Sequence, residues 1–197
     1  SHLRRLLTSG GLGEAVPFVP ETAMDVMREE ASYGRGPVSF LPLERVFLRS
    51  LRELSAAGFE ALPGVSEGFE NRLVRAARSA CSLEDFYMRA KTKRFTLARI
   101  RRIACCAALG IPKEVQACFP GYLRVLAMNP RGAEILARTK ESCPLPIGSN
   151  FADLARLSPA GLAYDILATD LHGLAMPDIQ PCGLDFTEKT PLIRLCE

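Results

Sequence analysis

Apolar residues along most of this chain recur every three or four positions, the period of an amphipathic helix, and short stretches rich in glycine and proline interrupt the pattern. Residues 3–7 (LRRLL) predict a helical turn or two, stopped by Thr8-Ser9-Gly10-Gly11. Pro20-Glu21-Thr22 opens a helix that should run to about Ser32, with an acid near the positive end of the helix dipole, and Gly34-Arg35-Gly36-Pro37 ends it. Residues 43–57 predict another, with Val46, Phe47, Leu51 and Leu54 on one stripe, and Gly58 and Pro63-Gly64 form its stop. Over residues 66–80, Phe69, Leu73, Ala76, Ala77 and Ala80 share a face that excludes Arg72, Arg75 and Arg78. Ser82-Leu83-Glu84-Asp85 is a capping signature that starts a short helix to about Ala90. Residues 91–95 connect it to a helix capped by Thr96, striped by Ile100, Ile103, Ala104 and Ala107, and stopped by Gly110.

The pattern changes beyond residue 120. Residues 122–128 are apolar and bounded by Gly121 and Asn129-Pro130, which suits a buried strand. A helix over 131–140 and a second brief strand over 145–147 would complete one small βαβ unit. Further helices fit 151–156 and 159–174, and the turn-rich residues 177–197 read as an irregular tail over the surface. The expected fold is mainly α, a multi-helix domain over residues 20–176 with one small βαβ unit.

Composition narrows the class. With 48% hydrophobic and 24% charged residues the chain is that of a globular protein rather than a disordered or fibrous one. No apolar run approaches the roughly 20 residues of a membrane-spanning helix, and the first residues offer no secretory signal, so the expected location is the cytoplasm. Seven cysteines without a disulfide-like spacing fit a reducing compartment, and no paired-cysteine pattern predicts zinc. Cys105 and Cys106 sit in an apolar helical run, where cysteine behaves as a small hydrophobe.

Charge changes the picture more. The net charge is +3, yet residues 72–102 hold ten basic side chains against the two acids Glu84 and Asp85, so this segment carries +8 and the remainder −5. Most of the ten are arginines, whose planar fork suits phosphate and whose guanidinium stacks on bases. Few acids are interleaved to offset the repulsion, and the asymmetry points to a polyanionic partner. Catalytic chemistry is sparse by comparison. Two histidines, His2 and His172, cannot supply a multi-imidazole metal site or triad, and no phosphate-cradling glycine loop is present. Asp165 and Asp170 stand about 140° apart around a helix, poor geometry for a shared metal and better suited to structural roles. No catalytic or metal-binding residue is assigned.

Two motifs, Glu67-Gly68-Phe69-Glu70-Asn71-Arg72 and Lys91-Thr92-Lys93-Arg94-Phe95-Thr96 continued by Arg99-Ile100 and Arg102, resemble the C-terminal region of the bacterial tRNA(Met) cytidine acetate ligases, formerly grouped as predicted nucleotidyltransferases. Tyr122 to Leu126, Leu145-Pro146-Ile147 and Ala168-Thr169-Asp170 support the match, which covers roughly residues 66–170 and at most the whole chain. The resemblance implies an enzyme that activates acetate with ATP, taken with Mg2+, and passes the acetyl group to N4 of the wobble cytidine of elongator tRNA(Met). In that family the adenylate site lies in an N-terminal nucleotidyltransferase domain with a His-x-Gly-His motif, which this sequence lacks. Residues 1–19 would then be the end of, or linker from, that missing domain, and this chain alone would not be catalytic. Ser1-His2-Leu3-Arg4 resembles the end of a family motif whose arginine contacts ATP, which makes Arg4 the nucleotide residue, although Ser-His is also a common cloning remnant. Arg72, Arg75, Lys91, Lys93, Arg94, Arg99 and Arg102 are the expected tRNA contacts, with Glu70, Asn71 and Thr92 as supporting polar residues. Glu70 and Asn71 serve equally well as a polar brace between helices. Two alternatives stay open: a helical module that docks to a partner domain or second subunit, including a homodimer, without touching RNA; and a helical DNA-binding regulator, which lacks an evident helix-turn-helix pattern.

Overall fold

The apolar stripes of the first half close on one another. The computed structural model describes residues 2–9, 11–66, 68–139, 142–157 and 161–187, with the side chains of Arg4, Thr8 and Ser9 left aside. In chain order the helices are α1 (His2–Ser9), α2 (Leu12–Ala15), α3 (Glu21–Ser32), α4 (Glu44–Glu53), α5 (Ala56–Glu60), α6 (Phe69–Ser79), α7 (Leu83–Ala90), α8 (Leu97–Leu109) and α9 (Lys113–Ala117). Then come strand β1 (Leu123–Arg124), α10 (Pro130–Thr139), strand β2 (Ile147–Gly148), α11 (Phe151–Arg156), α12 (Leu162–Leu174) and α13 (Leu184–Thr187). The architecture is mainly α with one small parallel two-stranded sheet, as the apolar pattern predicts. Among the described residues no helix is long and apolar enough to cross a membrane.

The main core is built from α4, α5, α6, α7 and α8. Phe47, Leu51, Phe59, Phe69, Leu73, Phe86, Ile100 and Ile103 are fully buried there, and each such side chain contributes about 1.5–3 kcal/mol of transfer free energy. The predicted apolar face of residues 66–80 is the buried one, from Phe69 to Ala80. Local chemistry sets the ends. Ser82 Oγ accepts the Asp85 N–H at 3.0 Å, Thr96 Oγ1 accepts the Arg99 N–H at 3.4 Å, and Gly110 terminates α8 with φ of 65°, in the left-handed region that glycine enters without cost.

One expected helix is two. Residues 43–57 break at Leu54, whose backbone is extended, and Ser55 then caps α5 by accepting the Gly58 N–H at 3.1 Å. The α4 stripe is also rotated: Leu48 is buried and Val46 is 41% exposed, because α4 faces α8 as well as α6 and α7.

In the second half β1 and β2 pair in parallel, Leu123 opposite Ile147 and Arg124 opposite Gly148, with α10 as the crossover. The strands are shorter than expected. Pro144 and Pro146 lack an N–H and interrupt the ladder, leaving the Leu123 N–H to Pro146 O and Val125 N–H to Gly148 O bonds, at 2.8 and 2.9 Å. A separate small core forms around Phe151 and Leu154, with Tyr122 and Phe186 edge-on to Phe151 at 6.4 and 5.1 Å. The carboxylates of α12 act structurally, Asp165 accepting from Tyr122 Oη at 2.6 Å and Asp170 from the Gly183 N–H at 2.7 Å. The tail expected to be irregular from residue 177 contains the helical turn α13. Its Asp185 is buried in an ion pair with Arg124 of β1, which draws the turn against the sheet; residues 188–197 lie outside the described residues.

Candidate functional site

The two sequence motifs, some twenty residues apart, meet in space. Phe69, in the first turn of α6, stacks on Phe95 of the α7–α8 connection with ring centroids 3.7 Å apart and planes 10° from parallel. Arg72 donates from Nε to Ala90 O at 2.9 Å and from Nη2 to Lys91 O at 3.1 Å, so the start of α6 lies beside the end of α7 and the two helices run antiparallel. Arg99 donates from Nε to Gly64 O at 2.7 Å and from Nη2 to Ser66 Oγ at 3.0 Å, with its guanidinium 4.8 Å from the centre of the Phe95 ring. Gly64 has φ of 82°, a conformation that keeps its carbonyl turned to Arg99 at little cost only in glycine. Thr92 Oγ1 accepts the Phe95 N–H at 3.0 Å and closes the connection into a tight turn.

The expected contacts therefore divide into two kinds. Arg72 and Arg99 are half-buried braces hydrogen-bonded to the backbone. Arg75, Lys91, Lys93, Arg94 and Arg102 are exposed around the same junction, and Arg94 also lies 5.5 Å from the Phe95 ring. The segment's two acids are both engaged: Asp85 with Arg89 at 2.7 Å and Glu84 with Arg101 at 3.6 Å. Arg89 Nε and the Cys81 N–H hold the Asp85 carboxyl below its ordinary pKa. Neither acid is left to neutralise the remaining cations. Asn71 is exposed and donates to Glu70 Oε1 at 2.9 Å, so this pair is bonded internally and, among the described residues, bridges no second helix. Glu67 and the Arg4 side chain lie outside the described residues.

Sequence reasoning missed a feature of this face. Arg72, Arg75, Ala76, Ser79 and Arg89 line a cleft of about 160 Å³ between α6 and α7. The spacing of Arg72, Arg75 and Ser79 along α6 was legible as one helix face, but the approach of Arg89 from α7 is a tertiary fact. A larger, mostly apolar cleft of about 860 Å³ lies elsewhere, between the 38–43 segment, α8 and α12, and includes Cys105 and His172. Burial pushes the Cys105 and Cys106 thiols above the ordinary cysteine value, which favours their protonated form. Among the described residues no group of three His, Cys, Asp or Glu side chains is placed to hold a metal ion.

The chain matches a known group of proteins. A sequence profile described as HIGH Nucleotidyl Transferase matches residues 1–184, and the chain belongs to that family. Within it, the chain is similar to tRNA(Met) cytidine acetate ligases. The protein of that name from Thermoanaerobacter sp. is 31% identical over 199 residues, covering 99% of this chain and 49% of the relative. The one from Thermosipho melanesiensis is 36% identical over 137 residues, covering 68% of this chain and 32% of the relative. The crystal structure of Thermotoga maritima TmcAL bound with alpha-thio ATP superposes with a TM-score of 0.86 at 30% identity, over 98% of this chain and 51% of that one. The likeness reaches beyond the 66–170 stretch that carries the sequence motifs, and the chain spans about half the length or less of these relatives.

Proposed function

We propose that this chain is the tRNA-gripping, C-terminal portion of an ATP-dependent ligase that acetylates N4 of the wobble cytidine of elongator tRNA(Met) through acetyl-adenylate. ATP and its Mg2+ are assigned to a nucleotidyltransferase domain outside residues 1–197, with Arg4 as this chain's nucleotide residue by its match to the family motif, and the chain alone is not catalytic. One observation carries the reading. The two motifs converge on a junction, and Arg75, Lys91, Lys93 and Arg102 on its helices and connection are exposed, while the two acids within residues 72–102 are engaged by Arg89 and Arg101. A cation-rich surface of this kind suits a folded polyanion, which is held through many phosphate contacts and few base contacts. The names of the matched relatives supply the substrate.

The test is tRNA binding by the chain across a salt series. The log affinity should fall linearly with log salt, at about 0.7–0.9 per phosphate neutralised. Lys93→Glu with Arg102→Glu should abolish binding while leaving the melting temperature close to that of the unaltered chain. Arg99 is unsuitable for reversal because it braces Gly64 and Ser66. Salt-independent or absent tRNA binding counts against the proposal. The alternative, a docking module that does not touch RNA, draws support from the exposed apolar residues Phe119, Leu126, Ile135 and Leu157. In that case the unaltered chain would bind no tRNA, and the double reversal would disturb docking to the partner domain or subunit instead.

A further inference from the structure

The cleft between α6 and α7 is lined by three arginines whose hydrogen-bonding commitments are unequal. Arg72 uses Nε and Nη2 on the carbonyls of Ala90 and Lys91 and is thereby fixed. Arg89 uses Nε on Asp85 Oδ1 and is aimed by that bond. Arg75 is exposed and makes no ion pair or side-chain hydrogen bond among the described residues. Ser79 donates its hydroxyl back to Arg75 O at 2.8 Å, so the donors available to a ligand here are the arginine forks. Three cations thus answer to one carboxylate, around a space of about 160 Å³. At roughly 30 Å³ per water, that space holds about five waters, enough for one tetrahedral oxyanion. One fork alone satisfies a planar carboxylate; forks arriving from two helices suit an anion whose oxygens point in several directions.

We propose that this cleft is a binding site for one phosphate group of an RNA backbone, shared by Arg75 and Arg89 and centred by the fixed Arg72. The inference rests on the tRNA reading above and adds Arg89, an ion-paired residue, to the contact surface. A free inorganic phosphate has the same chemistry, and the sugar–phosphate chain is the favoured source because the cleft lies between helices that carry the surplus cations of residues 72–102.

The experiment measures tRNA affinity of the 197-residue chain, and of the variants Arg75→Gln, Arg89→Gln and the double variant, over a salt series. A shared phosphate predicts that each single substitution lowers the log–log salt slope by about 0.7–0.9, and that the double variant lowers it by the same amount rather than twice as much. Arg75 is exposed and has no side-chain partner to lose among the described residues, so its variant keeps the test valid even if Arg89→Gln does not fold. Slopes that add in the double variant mean separate phosphates and overturn the proposal; so does an unchanged slope in both singles. In a parallel arm inorganic phosphate is titrated in the absence of RNA. Saturation at millimolar phosphate that Arg75→Gln removes, together with an unaltered tRNA slope, makes a free anion the ligand and overturns the RNA source. A chain that binds no tRNA at any salt instead overturns the function proposed above and, with it, the RNA source proposed here.

Discussion

Arginines that look equivalent in the sequence do different work at the residue scale. Arg99 holds the 64–66 loop through two charge-assisted hydrogen bonds, whereas Arg102, three residues on, is exposed. Arg99→Ala should therefore lower the unfolding free energy by about 1–2 kcal/mol, discounted for its partial exposure, and Arg102→Ala by under about 0.5 kcal/mol. Urea denaturation checks both; equal losses would mean that the bonds to Gly64 and Ser66 do not brace the loop. Asp85 supplies a pH prediction. Its folded pKa lies below the unfolded value, so the stability due to its contacts with Arg89 and Cys81 is present above the unfolded pKa and lost as pH falls through the folded one. Asp85→Asn should weaken the pH dependence of the unfolding free energy below about pH 4. An identical acid limb in the variant would contradict that role.

Elements are fixed by end signals that act over a few residues, and this is why so much of the fold was legible. Ser82, Thr96 and Gly110 marked the boundaries of α7 and α8, and the stripe from Phe69 to Ala80 gave the buried face of α6. Ser82→Ala and Thr96→Ala should each cost about 1 kcal/mol of stability. A second partner reinforces α7: Glu44 Oε2 accepts the Leu83 N–H at 2.7 Å, so Ser82→Ala combined with Glu44→Gln should lose more than Ser82→Ala alone in the same denaturation assay. What the sequence hid depends on distant partners. The break at Leu54 interrupts an unbroken helical period, and only the α5 packing against α6 makes two short helices better than one long one. The cationic segment was visible as a run of charges. That Phe69 and Phe95 stack, and that Arg72 and Arg99 face carbonyls, required the path of the chain between the motifs.

At the scale of the molecule, the described residues include a main apolar centre under α4 to α8 and a separate, smaller one at Phe151 and Leu154. The smaller centre is tied together by the Arg124–Asp185 ion pair and by the Tyr122 hydroxyl on Asp165, a phenol whose pKa burial and that bond push up to about 12. Asp185→Asn leaves the Arg124 charge without this counter-ion and should destabilise the region by about 2–3 kcal/mol, less than a fully buried pair because Arg124 is partly exposed. Hydrogen exchange should quicken at the Leu123 and Val125 amides while those of α6 and α8 keep their protection; uniform quickening would mean that the two centres unfold as one. At the cationic face, one consequence follows from the way Arg72 and Arg99 are anchored. A carbonyl is a dipole and not an ion, so each guanidinium retains its full unit of charge while its rotamer freedom, about 2 kcal/mol for a free arginine, is largely surrendered when the chain folds. A polyanion meeting this surface thus encounters some charges already held in place, and the entropy lost on association falls on the exposed Arg75, Lys91 and Lys93.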